Sequence, residues 1–188
     1  MACDLCGSSD ALHVLDSVRL DGPLVRCRRC GLIYVGRRGG DFTFAGGADA
    51  ARSSALADRV AALGIVDHAV EDAELPHRRA ADRERIERLR RYAPAAGTLL
   101  DVGAATGALL EAAGESFADV EGVEPDPITS EQARAAGHRV RTGTLEDVVA
   151  PNGGFDAITM VHVLEHLDSP RRAVGRAREL LAPGGALL

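Results

Sequence analysis

From Thr98 onward the chain alternates short apolar runs with segments of helical character, and no other feature restricts its fold as tightly. The runs are TLLDVG, DVEGVEP, HRVRTG, FDAITMV and a closing ALL; among them stand GALLEAAGES, PITSEQARAAG and PRRAVGRARELLAPGG. Strands separated by helices pair in parallel, because each connection has to cross over a face of the sheet. Runs that are apolar on both faces suit the centre of such a sheet. The helices carry their own punctuation, with Ser169 placed as an N-cap before Pro170 and Gly137 and Gly184 placed as stops. The expectation is an α/β fold with a mostly parallel sheet, whose ligands sit beyond the carboxyl ends of the strands at the topological switch point.

That geometry gives a location to LLDVGAATG, residues 99–107. A strand that ends in small residues bracketed by Gly103 and Gly107 offers backbone N–H groups and a helix N-terminus to a ligand, and lets it approach closely. A dinucleotide requires G-x-G-x-x-G to seat its pyrophosphate. Here Ala105 stands between glycines at 103 and 107, so that fingerprint fails. The acid that should follow is nevertheless present, as Glu124 in GVEPDP. A carboxylate there accepts hydrogen bonds from both hydroxyls of a ribose, whichever nucleoside carries it. The pattern points to a nucleoside without a pyrophosphate.

The N-terminal part is organised differently. Cys3-Asp4-Leu5-Cys6-Gly7 and Cys27-Arg28-Arg29-Cys30-Gly31 are two C-x-x-C-G hooks that use every cysteine of the chain. MACDLCG has no basic segment followed by an apolar core, and no apolar run reaches bilayer-spanning length; the expectation is a cytoplasmic protein with reduced thiols and no membrane partner. Two residues between thiolates let one tight turn present both sulfurs to a single ion, and the following glycine lets the backbone curl back beneath it. Cys3, Cys6, Cys27 and Cys30 are therefore read as the ligands of a structural zinc, since a closed four-thiolate shell leaves no position open for catalysis. The stretch between the hooks reads as a hairpin around Asp21-Gly22.

Residues 1–36 are thus assigned to a zinc ribbon, 37–94 to a helical connector and 95–188 to the main domain. In the connector, GRRGGDFTFAGGADAA is glycine-rich and SSALADRVAALG has the pattern of a short helix. PHRRAADRERIERLRRYAP reads as a longer helix with Ala81, Ile86, Leu89 and Tyr92 near one face. Its Glu84/Arg88 and Glu87/Arg91 spacings make its arginines a solvated, ion-paired face. A net charge of −6 argues against a grip on nucleic acid, although every basic residue other than histidine is arginine. His13, His68, His77 and His138 have no setting that suggests chemistry and are read as surface residues.

Taken in order, LLDVGAATG, GVEPDP, GTLEDV, FDAITMVHVLEHLDSP and LLAPGGALL resemble the successive motifs of class I S-adenosylmethionine-dependent methyltransferases. The resemblance covers residues 95–188, and the ribbon with CGLIYV resembles a module found at the N-terminus of some of these enzymes. It implies a Rossmann-like, doubly wound sheet of strand order 3-2-1-4-5 as far as the chain reaches. It also implies S-adenosylmethionine as cofactor, with Asp101 and the turn of Gly103, Ala105 and Gly107 at its methionine end, Glu124 at its ribose, and Thr144 and Leu145 at its adenine. Family members add two further strands after the fifth, so either a partner finishes the sheet or, as expected first, the chain is a C-terminally truncated fragment whose acceptor pocket is incomplete. In HVLEH, His162 would stand beside the transferred methyl group as a candidate base. Glu165 and His166 match an acid-x-x-Glu-His arrangement that binds a divalent metal in some relatives; otherwise they brace the loop. The implied function is methyl transfer to oxygen, carbon or nitrogen of a small-molecule or sugar-like acceptor. The alternatives are a catalytically silent cofactor-binding or zinc-ribbon interaction protein and, more remotely, a nucleic-acid methyltransferase; oligomeric state is not legible.

Overall fold

The computed structural model describes residues 1–16, 23–36, 68–93, 97–167 and 169–188. The turn expected at Asp21-Gly22 and the short helix expected over 53–64 lie outside the described residues. The chain divides into two compact units: Met1–Phe44 with Leu164–Gly175, and Ala45–Val163 with Arg176–Leu188.

In the first unit β1 (Ala11–Leu15), β2 (Leu24–Cys27) and β3 (Ile33–Val35) form an antiparallel sheet in that order. One cysteine hook precedes β1 and the other follows on from β2. Of the described side chains in 1–36, Cys3 and Cys27 alone are buried, while Leu12, Val14, Leu15 and Ile33 are exposed.

In the second unit the strands β4 (Thr98–Val102), β5 (Asp119–Glu124), β6 (Val140–Thr142), β7 (Phe155–Thr159) and β8 (Leu181–Leu187) form one sheet. Its order is β6-β5-β4-β7-β8 and its pairings are parallel, which is the 3-2-1-4-5 arrangement the family resemblance implies. Leu99, Leu100, Val123, Phe155, Ala157 and Ile158 are at most 2% exposed and form its centre. The helices α1 (His68–Arg90), α2 (Ala108–Gly114) and α3 (Pro127–Ala135) flank it. The sequence placed α1 in a connector, yet Ile86 and Leu89 pack with Leu109, Ala112, Ala113 and Phe117 into one core cluster. Ala104, Leu110, Ala133 and Val140 form another.

Two local expectations change. Tyr92 does not join the apolar face of α1: the helix ends at Arg90, and the N–H groups of Tyr92 and Ala93 both turn back to the Leu89 carbonyl. Tyr92 is left 74% exposed and Ala93 takes the buried place. Gly184 does not stop α4 (Pro170–Leu180), because β8 begins at the next residue and Pro183-Gly184-Gly185 becomes an irregularity within the strand, between the pairs Phe155–Leu181 and Ala157–Ala186. A Cβ on Gly185 would stand 2.8 Å from the Phe155 carbonyl oxygen, so only glycine fits there. Ser169 and Gly137 behave as expected. The Ser169 hydroxyl accepts the Arg172 N–H at 3.3 Å, and Gly137, at φ +93°, closes α3 with the His138 N–H on the Ala133 carbonyl. Among the described residues no helix is long and apolar enough to cross a membrane.

Candidate cofactor site and metal centre

The parallel register sets Asp101, near the carboxyl end of β4, between Gly122 of β5 and Thr159 of β7. Asp101 is 3% exposed, and its Oδ1 accepts the hydroxyl hydrogen of the fully buried Thr159 at 2.6 Å. Burial pushes the Asp101 carboxyl up to about 7; the Thr159 hydrogen bond opposes the rise, and the charges of Asp82 and Glu124 add to it. Such a group stands ready to ionise beside a cation.

Beyond β4 the backbone takes positive φ at Gly103 (+73°), Ala105 (+45°) and Gly107 (+94°). The N–H groups of Gly103 and Ala104 donate to the Val123 carbonyl at 2.8 and 3.2 Å, which lays the turn against β5. Gly122 permits this, since a Cβ there would come within 2.6 Å of that of Ala104. Glu124, 7% exposed, then accepts the Ala105 N–H on Oε2 and the Asp126 N–H on Oε1, each at 2.9 Å. Its carboxylate is fixed in place, and each oxygen keeps one lone pair for a further donor.

The sequence assigned the bracketing glycines to close ligand approach. In the structure a Cβ on Gly103 would meet Val163 Cγ2 at 2.7 Å, and one on Gly107 would overlap the His138 ring. His138, expected at the surface, is half-buried against the start of α2. Ala105, standing where the dinucleotide fingerprint has a glycine, takes a left-handed φ that glycine would adopt freely.

At the end of β6, the Gly143 N–H donates to the Glu124 carbonyl at 3.0 Å. Thr144 gives both its N–H and its hydroxyl to Asp147 Oδ2, at 2.8 and 2.9 Å, which holds the Asp147 carboxyl below the usual range. Leu145 is buried. His162 follows β7, exposed and at φ +56°, a left-handed conformation uncommon outside glycine. Glu165 and His166 lie exposed on the short 3₁₀ turn Leu164–His166, which belongs to the first unit. The structure thus gathers Asp101, Gly103, Ala105 and Glu124 at adjoining strand ends, with Thr144 reached through Gly143. Sequence reasoning missed Thr159, Gly122 and the buried Asp82, of which Thr159 was recoverable from strand register alone.

The two cysteine hooks have the same backbone. In each, the carbonyl of the first cysteine accepts the N–H of the terminal glycine (2.8 Å from Gly7 to Cys3, 3.0 Å from Gly31 to Cys27), and both glycines have positive φ, +72° and +80°. Nothing crowds either Cβ position, so these glycines answer to φ and not to room. The Sγ atoms of Cys3 and Cys30 are 3.5 Å apart, those of Cys6 and Cys27 3.6 Å, and all four lie within 4.8 Å of one another. Tetrahedral Zn–S bonds of ~2.3 Å put sulfurs about 3.8 Å apart, so the donor set fits zinc. Among the described residues this is the one group of three or more potential metal-binding side chains. Backbone N–H groups of Cys30 and Arg29 help to draw the Cys27 thiol down to about 6. Cys30, despite the favouring N–H of Leu32, is pushed up to about 12 by desolvation and the neighbouring sulfurs.

A methyltransferase domain family model matches residues 75–188, from within α1 to the end of β8. The ubiquinone biosynthesis O-methyltransferase of Xanthomonas axonopodis pv. citri is 33% identical over 106 residues, which span 52% of this chain and 44% of that protein. The match therefore spans less than half the length of that relative. CalS10, an amino pentose methyltransferase from Micromonospora echinaspora solved with S-adenosylmethionine bound, superposes with a TM-score of 0.54 at 33% identity, covering 63% of this chain and 54% of its own. The sugar N-methyltransferase KedS8 from Streptoalloteichus superposes with a TM-score of 0.55 at 26% identity, covering 65% and 52%. With more than half of its residues matched by the model and the sheet order in agreement, the chain belongs to the methyltransferase domain family.

Proposed function

We propose that the protein uses S-adenosylmethionine to methylate oxygen, nitrogen or carbon of a small-molecule or sugar-like acceptor. The observation that carries this is Glu124, pinned by two backbone N–H groups with one lone pair left on each oxygen, at the strand end adjoining a buried Asp101 whose carboxyl burial raises to about 7. Bound S-adenosylmethionine would supply a methyl group activated on a sulfonium. Glu124 accepts the ribose hydroxyls, and Asp101 ionises against the ligand's ammonium group. Thr144 and Leu145 border the adenine. The incomplete dinucleotide fingerprint, with Ala105 in the place of a glycine between Gly103 and Gly107, favours this ligand over a dinucleotide. His162 takes the acceptor's proton; a non-glycine residue held at positive φ stores about 1–2 kcal/mol, a strain that clusters at working sites. The four cysteines hold a structural zinc in a ribbon over 1–36, and 95–188 form the cofactor domain. The small-molecule acceptors of the named relatives support the substrate class.

Incubation with methyl-labelled S-adenosylmethionine and a panel of amino sugars and hydroxylated small molecules should yield labelled product together with demethylated cofactor. His162→Ala should lower turnover roughly a hundredfold or more while leaving cofactor affinity unchanged. Tight cofactor binding with no transfer to any acceptor would support a silent cofactor-binding protein.

A further inference from the structure

We propose that Asp4 is a positioning residue that couples the Cys3–Cys6 metal hook to the first turn of α4. The inference rests on the zinc reading above and concerns Leu164–Gly175, the segment that shares a compact unit with the hooks. A helix begins with backbone N–H groups that have no partner inside it. In α4 the first residue is Pro170, which has no N–H to satisfy. The second, Arg171, donates its N–H to Asp4 Oδ2 at 2.8 Å. The third, Arg172, donates to the Ser169 hydroxyl at 3.3 Å, and that hydroxyl donates in turn to Asp4 Oδ1 at 2.6 Å. The fourth, Ala173, already reaches the Ser169 carbonyl at 3.1 Å. One carboxylate, 165 positions away in sequence, therefore completes the donor account of the whole turn. Ser169 caps Arg172, as its sequence context implies, through a hydroxyl that Asp4 orients, and it leaves the Arg171 N–H to Asp4. A carboxylate is also the favourable sign at this end of the helix dipole.

The hook holds Asp4 in position. The Cys3 N–H donates to the Ser8 carbonyl at 2.9 Å and the Gly7 N–H to the Cys3 carbonyl at 2.8 Å, which wraps the backbone around Asp4 and Leu5. The sulfurs on either side of that pair of residues meet Cys30 and Cys27 at 3.5 and 3.6 Å. An ion shared by the four sulfurs fixes both ends of the span that carries Asp4, and its loss frees them, since metal binding and folding of so small a module are coupled. The turn that Asp4 caps lies shortly after the 3₁₀ turn bearing Glu165 and His166. The metal's structural reach thus extends to the start of the helix that follows HVLEH.

Residue-resolved amide exchange by NMR on the full chain, zinc-loaded and chelated, tests this. In the wild type, chelation should speed exchange at Arg171 and Arg172 about threefold to thirtyfold, the range expected for loss of a cap. Asp4→Ala should produce the same speeding with zinc still bound and should make those two amides indifferent to chelation. Asp4→Asn, with one carboxylate oxygen replaced, should fall between. Wild-type amides that ignore chelation, or an Asp4→Ala chain in which they still respond fully, would overturn the coupling. Metal analysis is the separate readout for the zinc reading: protein without zinc fails that reading first, while faster Arg171 exchange in Asp4→Ala than in wild type still decides whether Asp4 is the cap.

Discussion

The cysteine unit and the parallel sheet are held together by different physics. The sheet excludes water from Leu99, Leu100, Val123, Phe155, Ala157 and Ile158, and apolar burial at about 25 cal/mol per Å² sustains it. Among the described residues of 1–36 the side chains buried to that degree are the sulfur-bearing Cys3 and Cys27, whereas Leu12, Leu15 and Ile33 stand 48%, 46% and 56% exposed. A module that cannot build an apolar core requires a staple. On the proposed zinc reading, the same chain contains one part whose order depends on an ion and another whose order depends on packing, so each can be struck separately.

The largest effect should come from removing the staple. Cys27→Ser, or chelation of the wild type, forfeits metal-binding free energy on the order of 10 kcal/mol. In NMR spectra the β1–β3 amides should collapse toward random-coil positions while those of β4, β5 and β7 stay where they are. Simultaneous loss of both sets would break the contrast.

A smaller effect, and one confined to the sheet, belongs to Asp101. Its folded carboxyl titrates at about 7 against an ordinary 3.8, so the folded state holds a proton that the unfolded chain has released. Stability of the ligand-free protein therefore falls as pH rises from about 4 to about 7 and stays reduced above that, by up to roughly 4 kcal/mol. Asp101→Asn keeps an acceptor for the Thr159 hydroxyl and removes the penalty. Urea denaturation should show the variant more stable than wild type at pH 8 and no different at pH 4, with weaker cofactor binding. Parallel stability curves across that range would show that the burial of Asp101 has no such consequence.

The smallest expected effect is at Ala105, whose φ of +45° glycine would adopt without strain. Ala105→Gly should raise the sheet's stability by about 0.5–1 kcal/mol in thermal unfolding and leave zinc content unchanged. A loss of stability would mean that the Ala105 methyl group makes packing contacts worth more than the backbone strain.

What the sequence disclosed and what it concealed divide along a physical line. The hooks were legible because ligand spacing and a following glycine are local requirements, and Gly7 and Gly31 meet them with positive φ. The strand order and the position of Glu124 were legible through motif order, since parallel α/β sheets leave few topologies open. The partners of Glu124 were not, because the N–H groups of Ala105 and Asp126 reach it only once the turn lies against β5. Asp82 was concealed for a related reason: it stands in an arginine-rich helix with no motif around it, and only the packing of α1 reduces it to 8% exposure, ion-paired with Arg85 at 2.7 Å. Gly103 and Gly107 carried a true signal with an ambiguous cause, since space beside a glycine serves a ligand or, as with Val163 and His138, the chain's own side chains.

The ends of β4 and β5 should hold a cationic nucleoside amino acid in preference to a dinucleotide. Calorimetric titration of the wild-type chain with S-adenosylmethionine, its demethylated product and NAD, alongside Glu124→Gln and Glu124→Ala, tests it most directly. The first two ligands should bind more tightly than NAD. Glu124→Ala should cost about 2–4 kcal/mol, roughly thirtyfold to a thousandfold in affinity, with Glu124→Gln between that variant and wild type. Tighter binding of NAD than of either sulfur-bearing ligand, or affinities untouched by the loss of the Glu124 carboxylate, would contradict it.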